Sequence, residues 1–115
     1  MFIAMNRFKV VKGEEAAFIE VWASRKTRLD EMKGFVSFNL LKGPEKEDHT
    51  LFSSHTVWET KDDFTAWTRS EQFRDSHSKA GQPRPKPLFL GHPEFEGFES
   101  VLGETNPNRP LQAAE

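Results

Sequence analysis

Ten residues near the N-terminus, Phe2 to Val11, alternate with the period of a β-strand, and this alternation restricts the fold more than any other feature. Phe2, Ala4, Asn6, Phe8 and Val10 fall on one face, and Ile3, Met5, Arg7, Lys9 and Val11 on the other. Lys12-Gly13 ends the strand, and Glu14 and Glu15 are acidic residues suited to the first turn of a helix. That helix is expected to run to about Met32, with Phe18, Ile19, Trp22 and Leu29 as its apolar stripe. Gly34 restarts the chain into a second strand, Phe35–Leu41. Gly43-Pro44 and the charged stretch Glu45–Asp48 then form a loop. His49 to Glu59, rich in Thr, Val, Phe and Trp, reads as a third strand.

Thr60, with Asp63 three residues on, has the pattern of a helix N-cap. The helix it opens carries Phe64 and Trp67. Ser70 followed by Glu71 repeats the capping pattern, so a break is expected there, with a new short helix through Phe73 and His77. Gly81, Pro83, Pro85 and Pro87 forbid further helix and make an extended loop. A last strand is expected over about Phe95–Leu102, so that residues 1–102 form one domain. The tail from Gly103 to Glu115, with Pro107 and Pro110, is expected to fray. The order β-α-β-β-α-β is the ferredoxin-like α+β arrangement, an antiparallel sheet with helices on one face. Phe and Trp stand on both faces of several strands in this reading, so the uncovered face is expected to meet a second copy of the chain in a homodimer.

The composition narrows the chemistry. The 115 residues carry 16 Lys+Arg and 18 Asp+Glu, a net charge of −2. Such a balance argues against nucleic-acid binding by counterion release and against a polybasic membrane-surface protein. With no cysteine there are no disulfides, thiolate metal sites, iron–sulfur clusters or cysteine nucleophiles. With 11 Phe and 3 Trp but no Tyr, tyrosyl radicals and phenolic acid–base catalysis are excluded. A Phe-rich interior serves as plain core or as the wall around a flat apolar ligand. No apolar run approaches the roughly 18 residues of a membrane span, and no signal peptide is visible, so a cytoplasmic setting is expected.

Four residues are candidates for a site. Asn6 occupies an apolar strand face between Ala4 and Phe8, where a buried amide either bonds a neighbouring loop or faces a ligand. His77 follows Phe73 by one helical turn and precedes the Gly/Pro-rich loop. It is either structural or, with cysteine absent, the best iron or transition-metal ligand available. In a continuous helix Trp67 would stand about 15 Å from His77 along the axis. The break at Ser70 folds the two short helices toward one cavity. Arg25 is either a solvated helix-face cation or a partner for a ligand carboxylate. Ser53, Ser54 and His55 adjoin in sequence, but strand neighbours point to opposite faces and no orienting acid is placed by spacing. No G-x-S-x-G, P-loop or G-x-G-x-x-G is present.

At these residues the chain resembles the IsdG-type haem-degrading monooxygenases of the antibiotic-biosynthesis-monooxygenase-like superfamily. The strand Ala-Met-Asn-Arg-Phe, ending at Lys-Gly, places Asn6 at the family's catalytic Asn. Phe-Thr-Ala-Trp-Thr-Arg-Ser-Glu-Gln-Phe-Arg-Asp-Ser-His places Trp67 and His77 at the family's Trp and His, and Thr-Val-Trp-Glu before that helix also matches. The likeness covers about residues 1–80 and implies a dimeric ferredoxin-like α/β-barrel holding haem between sheet and helices in each subunit. It further implies that His77 ligates the iron, Asn6 hydrogen-bonds on the distal side, and Trp67 presses the macrocycle out of plane. Haem would then be both cofactor and substrate. O2 and an external electron donor, a reductase or small reductant, would open the ring to a linear tetrapyrrole and free iron. Gly81–Pro93, with Arg84, Lys86 and His92, departs from the family pattern. Three other readings accompany this one: a cofactor-free monooxygenase of aromatic or quinol substrates on the same fold, a haem-binding protein without turnover, and a small stress-response dimerisation module with no pocket.

Overall fold

The computed structural model describes residues 1–77 and 87–108. Its elements are β1 (Phe2–Val11), α1 (Glu15–Ala23), a 3-10 turn (Leu29–Glu31), β2 (Phe35–Glu45), β3 (His49–Trp58), α2 (Lys61–Thr68), α3 (Glu71–Ser76) and β4 (Phe89–Glu99). The strands form one antiparallel sheet in the order β2-β3-β1-β4, the expected ferredoxin-like α+β fold. Among the described residues no helix is long and apolar enough to cross a membrane.

The alternation of β1 decides which face is covered. Phe2, Ala4, Phe8 and Val10 are buried beneath the helices, while Arg7 and Lys9 face outward. The register pairs Phe2 with Trp58 and Phe8 with Phe52, so β3 adds its aromatics to the same face. Two apolar clusters result. One joins Phe2, Ala4, Leu29, Trp58 and Trp67, and the other Phe8, Val10, Phe18 and Phe52. Ring pairs such as Phe18–Phe52 at 5.2 Å and Trp58–Trp67 at 6.2 Å bind helices to sheet.

Both helix starts after β3 form as their capping patterns predict. The Thr60 hydroxyl accepts from the Asp63 N–H at 3.0 Å, and the Ser70 hydroxyl accepts from the Phe73 N–H at 3.0 Å. Several expectations are corrected. The first helix stops at Ala23 and does not reach Met32. The Ser24 hydroxyl donates to the Val21 carbonyl and the Thr27 hydroxyl accepts from the Leu29 N–H, local bonds that compete with helix continuation. Arg28 then takes a left-handed conformation (φ 57°). Leu29 is still buried, carried to the core by the 3-10 turn, whereas Ile19 is exposed and leaves the stripe.

The second strand continues through Gly43-Pro44 to Glu45. β2 is an edge strand with a register shift between Lys42 and Glu45, where a proline's missing N–H costs no ladder bond. The last strand begins at Phe89, six residues early, and ends at Glu99. It is the other edge and absorbs Pro93 at an irregularity between its Arg7 and Lys9 pairings. Val101 and Leu102 are therefore almost wholly exposed. The loop expected at Gly81, Pro83 and Pro85 lies outside the described residues, as does the tail beyond Asn108.

The aromatics also divide differently from expectation. Nearly all sit on the helix-covered face. The open face carries aliphatic Ile3, Met5, Leu41, Leu51, Val57 and Leu90, with Phe98 as its aromatic ring. The premise of Phe and Trp on both faces is thus replaced by an open face that is mostly aliphatic and charged.

Gly34 turns the chain into β2 with φ +82°, and a Cβ there would stand 2.1 Å from Asp63 Oδ2 and 2.7 Å from Asp63 Cβ. Gly13 has a similar backbone (φ +91°) and open space around it. Gly34→Ala should cost roughly 2–4 kcal/mol by combining backbone strain with overpacking. Gly13→Ala should cost about 1 kcal/mol from strain alone. Urea unfolding of the two variants checks the difference.

Candidate functional site

The fully buried residues of the two clusters are separate, and the clusters are bridged at their margin by Trp22 stacked on Phe38 at 5.7 Å. Between them the sheet presents one rung in which Leu40, Ser54, Asn6 and Phe95 are aligned across β2, β3, β1 and β4. Over its short polar centre lies a cavity of about 210 Å³, and beside it a second lobe of about 240 Å³. Asn6, Trp22, Arg25 and His77 line both lobes. Trp67, Phe73, Phe38 and Phe95 wall the first, and Leu88, Phe89 and Pro93 border the second. A concave, mainly aromatic hollow with a few polar groups is the usual form of a small-molecule site.

The structure brings all four sequence candidates to this hollow. Asn6 rises from the floor on β1, half-buried, and its carboxamide has no hydrogen-bond partner among the described residues. Trp67 closes the last turn of α2, 7 % exposed, with its ring 5.4 Å from Phe73 and 6.5 Å from the His77 imidazole. The break at Ser70 makes this approach possible, because an unbroken helix would hold the two residues far apart. Arg25 lies just beyond α1, its guanidinium carbon 4.3 Å above the Trp22 ring.

His77 is the C-cap of α3. Its Nδ1 lies 2.8 Å from the Phe73 carbonyl oxygen and 2.9 Å from Ser76 Oγ. A carbonyl only accepts, so this partner assigns the proton to Nδ1 and leaves the Nε2 lone pair available. The ring also stacks on Phe73 at 4.0 Å, which fixes its plane. Burial pushes the His77 pKa below the ordinary histidine value, and the Arg25 charge lowers it further against the opposing bond to Phe73. The imidazole is therefore neutral near pH 7, the form that ligates a metal. Its helix is held from outside by Arg28, which forks onto Glu31 at 2.9 Å and reaches Asp75 on α3 at 2.6 Å.

Among the described residues no three His, Asp or Glu side chains gather, so the donor set is a single imidazole beside an aromatic hollow. That set suits one axial bond to a metal already held in a macrocycle, as a haem iron is. Trp22, Phe38, Phe73 and Ser54 were not singled out by sequence. Trp22 reads as helix stripe, Phe73 as the aromatic one turn before His77, and Ser54 as part of a dismissed Ser-Ser-His run. The period-two pattern of β3, which sets Ser54 on the face of Phe52 and Trp58, was the available signal for Ser54.

A family profile described as "Antibiotic biosynthesis monooxygenase" matches residues 1–79. Over its whole length the chain is 36 % identical to a "Heme-degrading monooxygenase" of Halalkalibacterium halodurans, covering 91 % of that protein. It is 34 % identical to a "Heme oxygenase (staphylobilin-producing)" of Staphylococcus haemolyticus, across 67 % of this chain and 73 % of that one. Its fold superposes with a TM-score of 0.66 on the haem-degrader MhuD of Mycobacterium tuberculosis, solved with two haems bound in its active site. That match has 25 % identity and covers 91 % of this chain and all of the other. The chain belongs to the antibiotic biosynthesis monooxygenase family, and its relatives there include haem-degrading members.

The lowered His77 pKa has a consequence for stability. Between the ordinary value of about 6.5 and the lower folded value, the unfolded chain binds more protons at this residue than the folded one. Its contribution is thus fully present above pH 6.5 and declines as pH falls through that window. The His77 ring protons in an NMR titration should show a midpoint below 6.5.

Proposed function

We propose that the protein is a haem-degrading monooxygenase. It binds haem in the hollow lined by Asn6, Trp67 and His77 and opens the porphyrin with O2 and electrons from an external reductase or small reductant. Iron and a linear tetrapyrrole are the products. The observation that carries this reading is the arrangement of His77: a neutral imidazole, oriented through Nδ1 by the Phe73 carbonyl, with Nε2 available on a hollow whose floor holds an unpartnered amide. The names of the relatives and the haems bound in MhuD support the same substrate.

Bound there, haem supplies the oxygen-activating iron and is itself the material oxidised. The chain's own residues do the rest. His77 would hold the group through Nε2, with its ring orientation set by Phe73. Asn6 would donate a hydrogen bond from an amide N–H too weakly acidic to give up its proton, which steers a reacting group without protonating it. Trp67, packed behind by Trp58 and Phe73, presses a rigid edge toward the ligand plane. The Arg25 guanidinium, stacked on Trp22, is placed to meet a propionate. The aromatic walls exclude water.

The reading also includes a homodimer formed through the open sheet face in the cytoplasm. Leu41 and Leu90 are 40 % exposed there and Phe98 45 %, a spread of apolar side chains that a second copy would cover. Light scattering should give twice the 13.3 kDa chain mass, and a 13.3 kDa species at micromolar concentration would remove the dimer.

Haemin titration is the decisive experiment. The wild type should bind with a shifted Soret band, and His77→Ala should lose it. Affinity should fall as pH drops through the lowered His77 pKa, below the ordinary value of about 6.5, and the imidazole becomes protonated. Under ascorbate and oxygen the Soret band should decay with iron released. Asn6→Ala should bind haemin normally but turn over at least tenfold more slowly. Absence of haemin binding would favour a cofactor-free oxygenase, and binding without decay a carrier.

A further inference from the structure

The floor of the hollow carries a second polar group directly beside Asn6. Ser54 on β3 is the cross-strand partner of Asn6, so their Cβ atoms stand about 5 Å apart on one face of the sheet. Ser54 is 7 % exposed and lines the hollow. Five hydroxyls line this lobe, and four are engaged by the backbone. Thr56 donates to the Ala4 carbonyl, Thr68 to Thr65, and Ser76 to Phe73, while Thr27 accepts from the Leu29 N–H. The Ser54 carbonyl accepts from the Ser53 hydroxyl at 3.1 Å, but the Ser54 hydroxyl itself has no partner among the described residues. The only fully buried unpaired side-chain polar atom among the described residues is Trp58 Nε1, so the unpartnered Ser54 hydroxyl is not sealed in the core but opens onto the hollow, where a ligand can reach it.

We infer that Ser54 is a second ligand-contacting residue, whose hydroxyl donates alongside the Asn6 amide to a small anionic ligand held over the sheet on the far side of the haem from His77. Two adjacent unspent donors in an aromatic enclosure act in a low dielectric, where each is worth more than in water. Two donors also define a direction, which one amide on a rotatable side chain does not. Ser54 therefore selects among small ligands by their capacity to accept hydrogen bonds: anions such as azide or cyanide are favoured, and carbon monoxide, a poor acceptor, is treated indifferently.

This inference rests on the haem reading, and its test separates the two. The haemin-loaded full chain is titrated with azide in the ferric state and with carbon monoxide in the ferrous state. The isosteric pair Ser54→Thr and Ser54→Val is compared with wild type and Ser54→Ala. Ser54→Thr keeps a hydroxyl, and both β-branched residues suit a strand. Loss of a hydrogen bond to a charged ligand should weaken azide about tenfold in Ser54→Val and Ser54→Ala. Ser54→Thr should stay within about threefold of wild type. Carbon monoxide affinity should change less than twofold in all. The azide stretching band should move in the two variants lacking the hydroxyl and be restored in Ser54→Thr. Equal azide affinity and an unmoved band in Ser54→Val, with haemin bound and its Soret band unchanged, would overturn the role of Ser54 and leave the haem reading intact. A wild-type chain that binds no haemin would overturn both.

Discussion

Across the aromatic face of the sheet runs one rung, Leu40–Ser54–Asn6–Phe95, whose two central positions carry short polar side chains. The adjoining regions of the same two strands bring together large rings, Phe2 with Trp58 and Phe8 with Phe52, and these close against the helices. Over the polar rung they cannot. A short amide and a hydroxyl leave space that neither cluster fills, and burying them under a ring without partners would cost roughly 1–3 kcal/mol each. The buried core is therefore parted over this rung, bridged only where Trp22 stacks on Phe38 among the lining residues, and the parting is the hollow. Stability is supplied by the flanking clusters, and the opening between them is the part of the interior not used for packing.

The helical side of the hollow depends on where helices stop. α2 ends at Thr68 and α3, capped by Ser70, begins at Glu71, so Trp67 and His77 belong to two short helices that converge. At the end of α3 the Phe73 carbonyl accepts from the His77 N–H at 3.1 Å and from the same residue's Nδ1 at 2.8 Å. A carbonyl oxygen has two lone pairs, so it can hold the backbone bond and still accept from the ring. One residue thus supplies both the stacking plane and the tautomer of the imidazole. Arg28, in a left-handed conformation, binds the outside of α3 through Asp75 and links it to the 3-10 turn that also buries Leu29.

The two edge strands show how sheet position overrides local punctuation. Gly43-Pro44 and Pro93 look like the ends of strands, yet β2 and β4 run through them, because an edge strand has one side on which no N–H is needed. In β4 this brings Phe89 and Pro93 to the border of the second lobe, so a segment that reads as loop contributes to the wall of the site.

Local chemistry was enough to place the two faces of β1, the two helix caps at Thr60 and Ser70, the element order and the polar anomaly at Asn6, because period, capping and burial cost act over a few residues. It overran α1, where Ser24 and Thr27 turn the chain by bonding the nearby backbone, and it misplaced the limits of β2 and β4. Ser54 stayed hidden in the sequence for a different reason. A serine in a strand is unremarkable until the register sets it opposite Asn6 on the buried face. Only the tertiary structure could decide that pairing, the convergence of Trp67 with His77, and which imidazole nitrogen faces the hollow. These are distances between residues far apart in the chain, and only the packing of separate elements determines them.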